Sequence, residues 1–274
     1  MKAAILAGGA GMRLRPLTYI YPKVMMPLAG KPILEYTIDY LKAYGIDELV
    51  LCVAHLRNRI KEYFGDGGDF GIRISYAEAE QPLGTAGQLA TARKHFPETF
   101  IAMNGDILTS INLNSLMETH KSSGNIATIS LRKFSAELPY GCVELDGKMR
   151  LTSFREKPAM TYLANAGLYV FNPRVFDYIK TQTGRVDLER DVFPKMILSG
   201  ETVAGYREDS YWAHIGTVVD LETLDKEMVL KNGGCQAQLQ PQQDNSGKPN
   251  SKPRSLGLPE LMAEALSAQR SSED

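Results

Sequence analysis

The residues with the clearest chemical potential lie near the amino terminus, in LAGGAGMRLRPLTYIYPK (6–23). Gly8, Gly9 and Gly11 free a stretch of backbone to aim its N–H groups at an anion, and the cations Arg13 and Lys23 follow. Their ten-residue separation, with Pro16 and Pro22 stiffening the path, lets both approach one polyphosphate from different sides. A dinucleotide fingerprint needs G-x-G-x-x-G running into a helix. Here Leu14 stands at the third glycine, and the prolines forbid an immediate regular helix. No G-x-x-x-x-G-K-[ST] run exists, so a P-loop is excluded as well. What remains is a phosphate cradle of another kind, or a plain glycine turn with two solvated cations.

The elements that must position this loop alternate along the first half of the chain. KAAIL (2–6) reads as a buried strand, PILEYTIDYLKAYG (32–45) as a helix with Pro32 in its first turn, and DELVLCVA (47–54) as the next strand. A helix over 55–64, a strand over 72–78, a helix over 85–96 and a strand over 99–104 follow. This alternation predicts an α/β fold with a mostly parallel sheet and helices on both faces. Ligands of such sheets gather beyond the carboxyl ends of the strands, which puts the opening loop, EQPLGTAG (80–87) and NGD (104–106) at one rim. After about residue 125 the pattern changes. NIATISLRK, GCVELDG, KMRLTSF and NAGLYVF read as strands, with Asp146-Gly147 as a hairpin turn. PRVFDYIK, DLERDVFPKMIL and VVDLETLDKEMVLKN read as helical. Residues 1–124 therefore form a nucleotide-binding half, and 125–231 an α+β half that completes a cleft.

Composition narrows the class. The 274 residues are 43% hydrophobic, a globular value, and 31 basic residues nearly cancel 32 acidic ones for a formal charge of −1. That balance provides no electrostatic footprint for nucleic acid or an anionic membrane. The apolar run in MKAAILAGG is too short for a signal peptide or a membrane span, so a soluble cytoplasmic protein is expected. Cys52, Cys142 and Cys235 lack CxxC spacing and are expected to be free thiols. Residues 232–257, rich in Gln, Asn, Ser, Pro and Gly, read as a disordered linker. Within 258–274, LPELMAEALSAQ could form a short amphipathic helix, either a frayed tail or a peptide that docks on a partner.

The ordered series LAGGAGMRLRPLT…PKVMMPLAGKPIL, EQPLGTAG, NGD, YGCVELDG, REKP, NAGLYVFN, DVFP and YWAHIGT resembles the sugar-1-phosphate nucleotidylyltransferases over about residues 1–230. PLGTAG is most similar to the mannose-1-phosphate guanylyltransferase-like branch. The resemblance implies a nucleotide-diphospho-sugar transferase fold: a Rossmann-like, mixed, mostly parallel sheet flanked by helices over 1–231, without the left-handed β-helix of some members. It also implies a reaction: a sugar-1-phosphate oxygen attacks the α-phosphorus of a nucleoside triphosphate and pyrophosphate leaves. No nucleophilic side chain is needed, which suits a sequence with no G-x-S-x-G.

By the same resemblance, Leu6, Ala7, Gly8, Gly9, Gly11, Met12 and Arg13 wrap the triphosphate, and Lys23 holds the α-phosphate. Gln81, Gly84 and Thr85 meet the base, Thr85 being also compatible with a helix N-cap. Asp106 binds Mg²⁺. The Gly141 amide, Glu156 and Asn165 meet sugar hydroxyls, and Lys157 meets the sugar phosphate. Taken alone, Glu156-Lys157 is equally a solvated charge pair. Three positions depart from the family pattern: Met12 replaces the usual Ser or Thr, Val24 replaces a frequent Pro, and His214 replaces the Asp that joins the first in holding Mg²⁺. An imidazole favours softer ions, so Mn²⁺ or Co²⁺ enters as an alternative, with a packing histidine as the other reading. GTP with mannose-1-phosphate is the expected pair, and UTP or dTTP with glucose-1-phosphate the alternative. A nucleotide-sugar-binding regulatory paralogue is the rival class, and assembly into a homo-oligomer is left open.

Overall fold

Ala3, Ala4, Ile5 and Leu6 leave the first strand no polar face, so it must be covered on both sides. The computed structural model, which describes residues 1–122, 124–180, 184–230, 261, 264 and 265, places this strand near the middle of a seven-stranded sheet. In chain order the elements are β1 (Lys2–Leu6), β2 (Pro27–Leu28), β3 (Lys31–Pro32), α1 (Ile33–Ala43), β4 (Glu48–Val53), α2 (Arg57–Phe64), β5 (Arg73–Glu78) and α3 (Gly84–Thr91). They continue with β6 (Phe100–Asn104), β7 (Ile107–Thr109), α4 (Leu113–Ser122), β8 (Ala127–Glu137), β9 (Cys142–Leu145) and β10 (Leu151–Arg155). β11 (Ala159–Phe171), α5 (Phe193–Leu198), β12 (Val203–Arg207), β13 (Trp212–His214) and α6 (Val218–Leu230) complete the series.

The sheet order is β12-β8-β11-β6-β1-β4-β5. All neighbours run parallel except β11, which lies antiparallel between β6 and β8. Side-chain alternation divides β1 between two cores. Ala3 and Ile5 pack with Leu34, Ile38 and Leu41 of α1, while Ala4 and Leu6 pack with Leu89 of α3, Phe100 and Tyr169. The predicted mostly parallel sheet with helices on both faces is thus observed, and no left-handed β-helix occurs among the described residues. β1 and β6 are parallel neighbours, so Leu6 and Asn104 end at one rim, and β11 brings Asn165 to the same edge.

Several element boundaries differ from the sequence reading, each for a local reason. Pro32 ends β3 and precedes α1 instead of sitting in its first turn. The helix expected over 85–96 stops at Thr91, and Arg93–His95 is a 3₁₀ turn. Residues Pro173–Tyr178 are 3₁₀, and Leu188–Val192 forms a π-type turn leading into α5. The β9–β10 hairpin closes through the longer loop 146–150, because Asp146 accepts from the N–H groups of Lys148 and Arg150 while Met149 takes a left-handed φ of 62°. β8 and β11 extend well beyond their predicted ends as a two-stranded arm whose residues are exposed on both faces, so no burial pattern marked them.

A third core joins the loop after β1 to α6: Leu17, Met26, Leu28, Leu108, Ile215, Leu221 and Met228 pack together with Leu261 and Ala265. Two positions of the expected carboxy-terminal helix are therefore buried. Cys235, the 232–257 segment and most of 258–274 lie outside the described residues. Cys52 and Cys142 are free thiols, and burial pushes the Cys52 thiol up to about 12. Among the described residues no helix is long and apolar enough to cross a membrane.

Candidate active site

The glycine loop leaves β1 at the rim in a shape its neighbours fix. Gly8 is buried and its N–H donates to Gln88 Oε1 at 2.8 Å; a Cβ there would meet that same oxygen at 2.9 Å and the Ala54 nitrogen at 3.0 Å. Gly11 has φ 60°, and its carbonyl accepts from Thr18 Oγ1 at 3.0 Å. Leu6 and Ala7 are buried, whereas Gly9, Met12 and Arg13 are exposed. No hydrogen bond or ion pair holds the Arg13 side chain among the described residues, so its guanidinium is unengaged.

Lys23 follows Pro22 in a short 3₁₀ turn and forms an ion pair with Asp106. Asp106 is placed by Gly105, whose N–H donates to Leu6 O at 3.0 Å and whose missing Cβ leaves room for Val24 Cγ1. His214 arrives on β13, which pairs antiparallel with β7 so that His214 lies opposite Ile107; its Nε2 comes within 3.4 Å of Asp106 Oδ2. Burial acts to raise the Asp106 pKa. The His214 hydrogen bond and the Lys23 charge overcome it and hold the carboxyl at about 2. Asp106 is therefore ionised at any working pH. The imidazole lies nearly parallel to the Trp212 ring at 6.1 Å, and Trp212 donates to Ala166 O at 2.7 Å. The Arg132 guanidinium covers the Trp212 ring at 4.2 Å.

After His214 the chain enters α6 through a reciprocal cap. Asp220 N–H donates to Thr217 Oγ1, and Asp220 Oδ2 accepts from the N–H groups of Gly216 and Thr217. Burial opposes ionisation of Asp220, but the Thr217 hydroxyl and the two amides keep its pKa below the usual range. That carboxylate is committed to the cap. It does not stand in for the acid that His214 replaces.

Gly84 and Thr85, expected from the sequence to meet the base, are tied to the second half of the chain. Gly84 has φ 80° and is buried under Val186, whose carbonyl accepts from Ala86 and Gly87 N–H at 3.0 and 3.1 Å. Thr85 is not the N-cap of α3. It lies within the first turn, its N–H donates to Asp187 Oδ1 at 3.1 Å, and its hydroxyl accepts from Leu188 N–H. The segment 186–188 caps this helix instead. A bulge between Asn165 and Tyr169, with Gly167 at φ 77°, turns Asn165 so that Nδ2 donates to the Tyr169 hydroxyl at 2.9 Å. Gly141 lies against Glu156, whose Oε2 would be 2.7 Å from a Cβ there. Gln81 and Lys157 are exposed and make no hydrogen bond or ion pair among the described residues.

The structure thus brings Lys23, Asp106 and His214 into one contact and Gly141 against Glu156, and it bonds Thr85 and Asn165 into one network. Sequence reasoning missed Gln88, Tyr169, Glu189, Trp212 and Arg132. Gln88 alone had a signal, as a polar residue on the buried face of α3. A model of the family described as nucleotidyl transferase matches residues 2–229.

The chain belongs to the nucleotidyl transferase family. It is 38% identical over 231 residues to mannose-1-phosphate guanylyltransferase of Mycobacterium tuberculosis, covering 83% of this chain and 64% of that one. It is 36% identical over 238 residues to UTP–glucose-1-phosphate uridylyltransferase of Synechocystis sp., covering 80% and 61%. The chain thus spans about three fifths of the length of these relatives. The crystal structure of HddC from Yersinia pseudotuberculosis superposes with a TM-score of 0.66 at 24% identity, covering 83% of this chain and 99% of that one, and so shares the fold. If a divalent cation binds here, Asp106 is the hard oxygen donor that the contact with Lys23 and His214 presents at the rim. No group of three His, Cys, Asp or Glu side chains gathers among the described residues. A single carboxylate fits Mg²⁺, which keeps waters and takes phosphate oxygens for the rest of its shell.

Proposed function

We propose that the protein transfers a nucleotidyl group from a nucleoside triphosphate to a sugar-1-phosphate, with GTP and mannose-1-phosphate as the preferred pair and UTP or dTTP with glucose-1-phosphate as the alternative. The observation that carries the reading is the Lys23–Asp106–His214 contact at the strand rim, beside a glycine loop with an unengaged Arg13. Two anions must meet, so positioning and charge neutralisation supply the catalysis. The loop from Gly8 to Arg13 offers backbone N–H groups and a guanidinium to the triphosphate. Lys23 moves its ammonium from Asp106 to the α-phosphate as negative charge develops there. One bond forms, from the sugar-phosphate oxygen to the α-phosphorus; one breaks, from that phosphorus to the bridging oxygen, and pyrophosphate carries the electrons away. Asp106 would hold a divalent cation, which would supply further charge neutralisation. Glu156, Asn165 and the Gly141 amide bind sugar hydroxyls, and Lys157 binds the sugar phosphate.

The base and the sugar are open because curated relatives of similar identity carry different names. Pyrophosphate release, measured for each triphosphate against mannose- and glucose-1-phosphate in Mg²⁺ and in Mn²⁺, fixes both. Release with one pair is the expected outcome. Nucleotide-sugar binding without any release would instead identify a regulatory paralogue, a reading favoured by His214 at the position of a metal-binding acid.

A further inference from the structure

Glu189 lies in the π-type turn Leu188–Val192, outside every motif assigned above, and its two carboxylate oxygens serve different sides of the cleft. Oε2 accepts from the Thr85 hydroxyl at 2.9 Å, in the base-side turn. Oε1 accepts from the Tyr169 hydroxyl at 3.0 Å, and that hydroxyl in turn accepts from Asn165 Nδ2 at 2.9 Å. Each end is pinned again: Leu188 N–H donates to Thr85 Oγ1 at 2.7 Å, and Gly167 N–H donates to Asn165 Oδ1 at 2.9 Å. Tyr169 is fully buried and packed against the rings of Phe171 and Phe193, so its hydroxyl cannot follow a displaced partner. Burial and the neighbouring Glu189 charge raise its pKa, so the hydroxyl keeps its proton to donate. Glu189 is the charged member of this four-residue chain. Its two bonds are charge-assisted, the one to Tyr169 part-buried and the one to Thr85 exposed.

We propose that Glu189 is a positioning residue that holds Thr85 and Asn165 in one fixed relation, so that the nucleotide and the sugar phosphate are both aligned through a single carboxylate. The inference rests on the nucleotidyl-transfer reading above. In-line attack depends on the relative placement of two bound molecules, and a shared anchor removes the freedom of one pocket to shift against the other.

The test uses the full chain and whichever substrate pair the wild type turns over. Glu189→Ala is expected to raise the KM of both substrates by about five- to tenfold, the scale of one solvent-accessible hydrogen bond in each arm. Glu189→Gln retains an acceptor for Tyr169 and can donate to Thr85 Oγ1, and it is expected to recover both values to within about twofold. Tyr169→Phe keeps the ring packing but cuts only the sugar arm, raising the sugar-phosphate KM alone. A role confined to folding would lower the active fraction, and with it kcat, at unchanged KM. The proposal is overturned if Glu189→Ala moves one KM or neither, or if Glu189→Gln recovers neither. If the wild type turns over no pair, equilibrium dialysis of GTP, UTP and the two sugar phosphates reads the same arms as Kd values. Absence of any wild-type binding overturns the nucleotidyl-transfer reading and the bridge together; wild-type binding or turnover unchanged by Glu189→Ala overturns the bridge alone.

Discussion

Asp106 keeps its charge only because Lys23 and His214 reach it from segments far away in the chain, and that dependence is measurable. Its pKa is about 2 in the folded protein, against an ordinary carboxylate value near 3.9 in the unfolded chain. A depressed folded pKa contributes stability that is complete above about pH 4 and is lost as pH falls toward 2, amounting to roughly 2 kcal/mol. Urea titrations at pH 5, 4, 3 and 2 are expected to reveal that loss in the wild type and a smaller one in Asp106→Asn. His214 sets a second expectation. On the proposed reading an Asp there supplies a second hard, charged oxygen beside Asp106, so His214→Asp is expected to raise turnover with Mg²⁺ relative to Mn²⁺. Equal metal ratios in the two proteins would place the histidine outside metal binding. At this scale the sequence marked Lys23, Asp106 and His214, which the structure brings into contact. Glu189 carried no such mark, because a turn glutamate acquires meaning only from the Thr85 and Tyr169 hydroxyls that face it.

Among the elements, the start of α3 depends on a segment about 100 residues later. Gly84 combines φ 80° with a Cβ direction that would meet Val186 O at 2.4 Å and Asp187 Oδ1 at 2.6 Å. Gly84→Ala is expected to destabilise the protein by about 2 kcal/mol or more, through backbone strain and displacement of the 186–189 segment. A lowered urea midpoint together with a raised KM for the nucleotide checks it. The sequence places Gln81, Gly84 and Thr85 at the base and starts a helix at Thr85. The amides of Thr85, Ala86 and Gly87 are satisfied by Asp187 Oδ1 and Val186 O, partners that no local pattern could reveal. The parallel core strands β1, β4 and β6 were legible because each is a short apolar run of strand length. β7, β12 and β13 were not, being short or polar, and defined by the partner each pairs with.

For the molecule as a whole, the third core ties the loop after β1, α6, Leu261 and Ala265 together. Leu261 is buried against this cluster, so Leu261→Ala is expected to cost roughly 2–3 kcal/mol, seen as a lower denaturant midpoint. An unchanged midpoint would mean that the segment contributes no packing. The expected tail therefore contains at least two anchored positions, Leu261 and Ala265, which the amphipathic pattern of 258–269 had marked without naming their partner. The sequence by itself determined the class of sheet and placed the glycine loop, 80–87 and 104–106 at the carboxyl ends of its strands. Those follow from hydrophobic periodicity and from glycine and proline stereochemistry, which are local properties of the chain. Only the tertiary structure decided that Lys23, Asp106 and His214 touch, that Asp220 is spent on a cap, and that Glu189 joins the two halves. These are contacts between side chains remote in sequence, and their geometry is set by strand order and register, which no local pattern encodes.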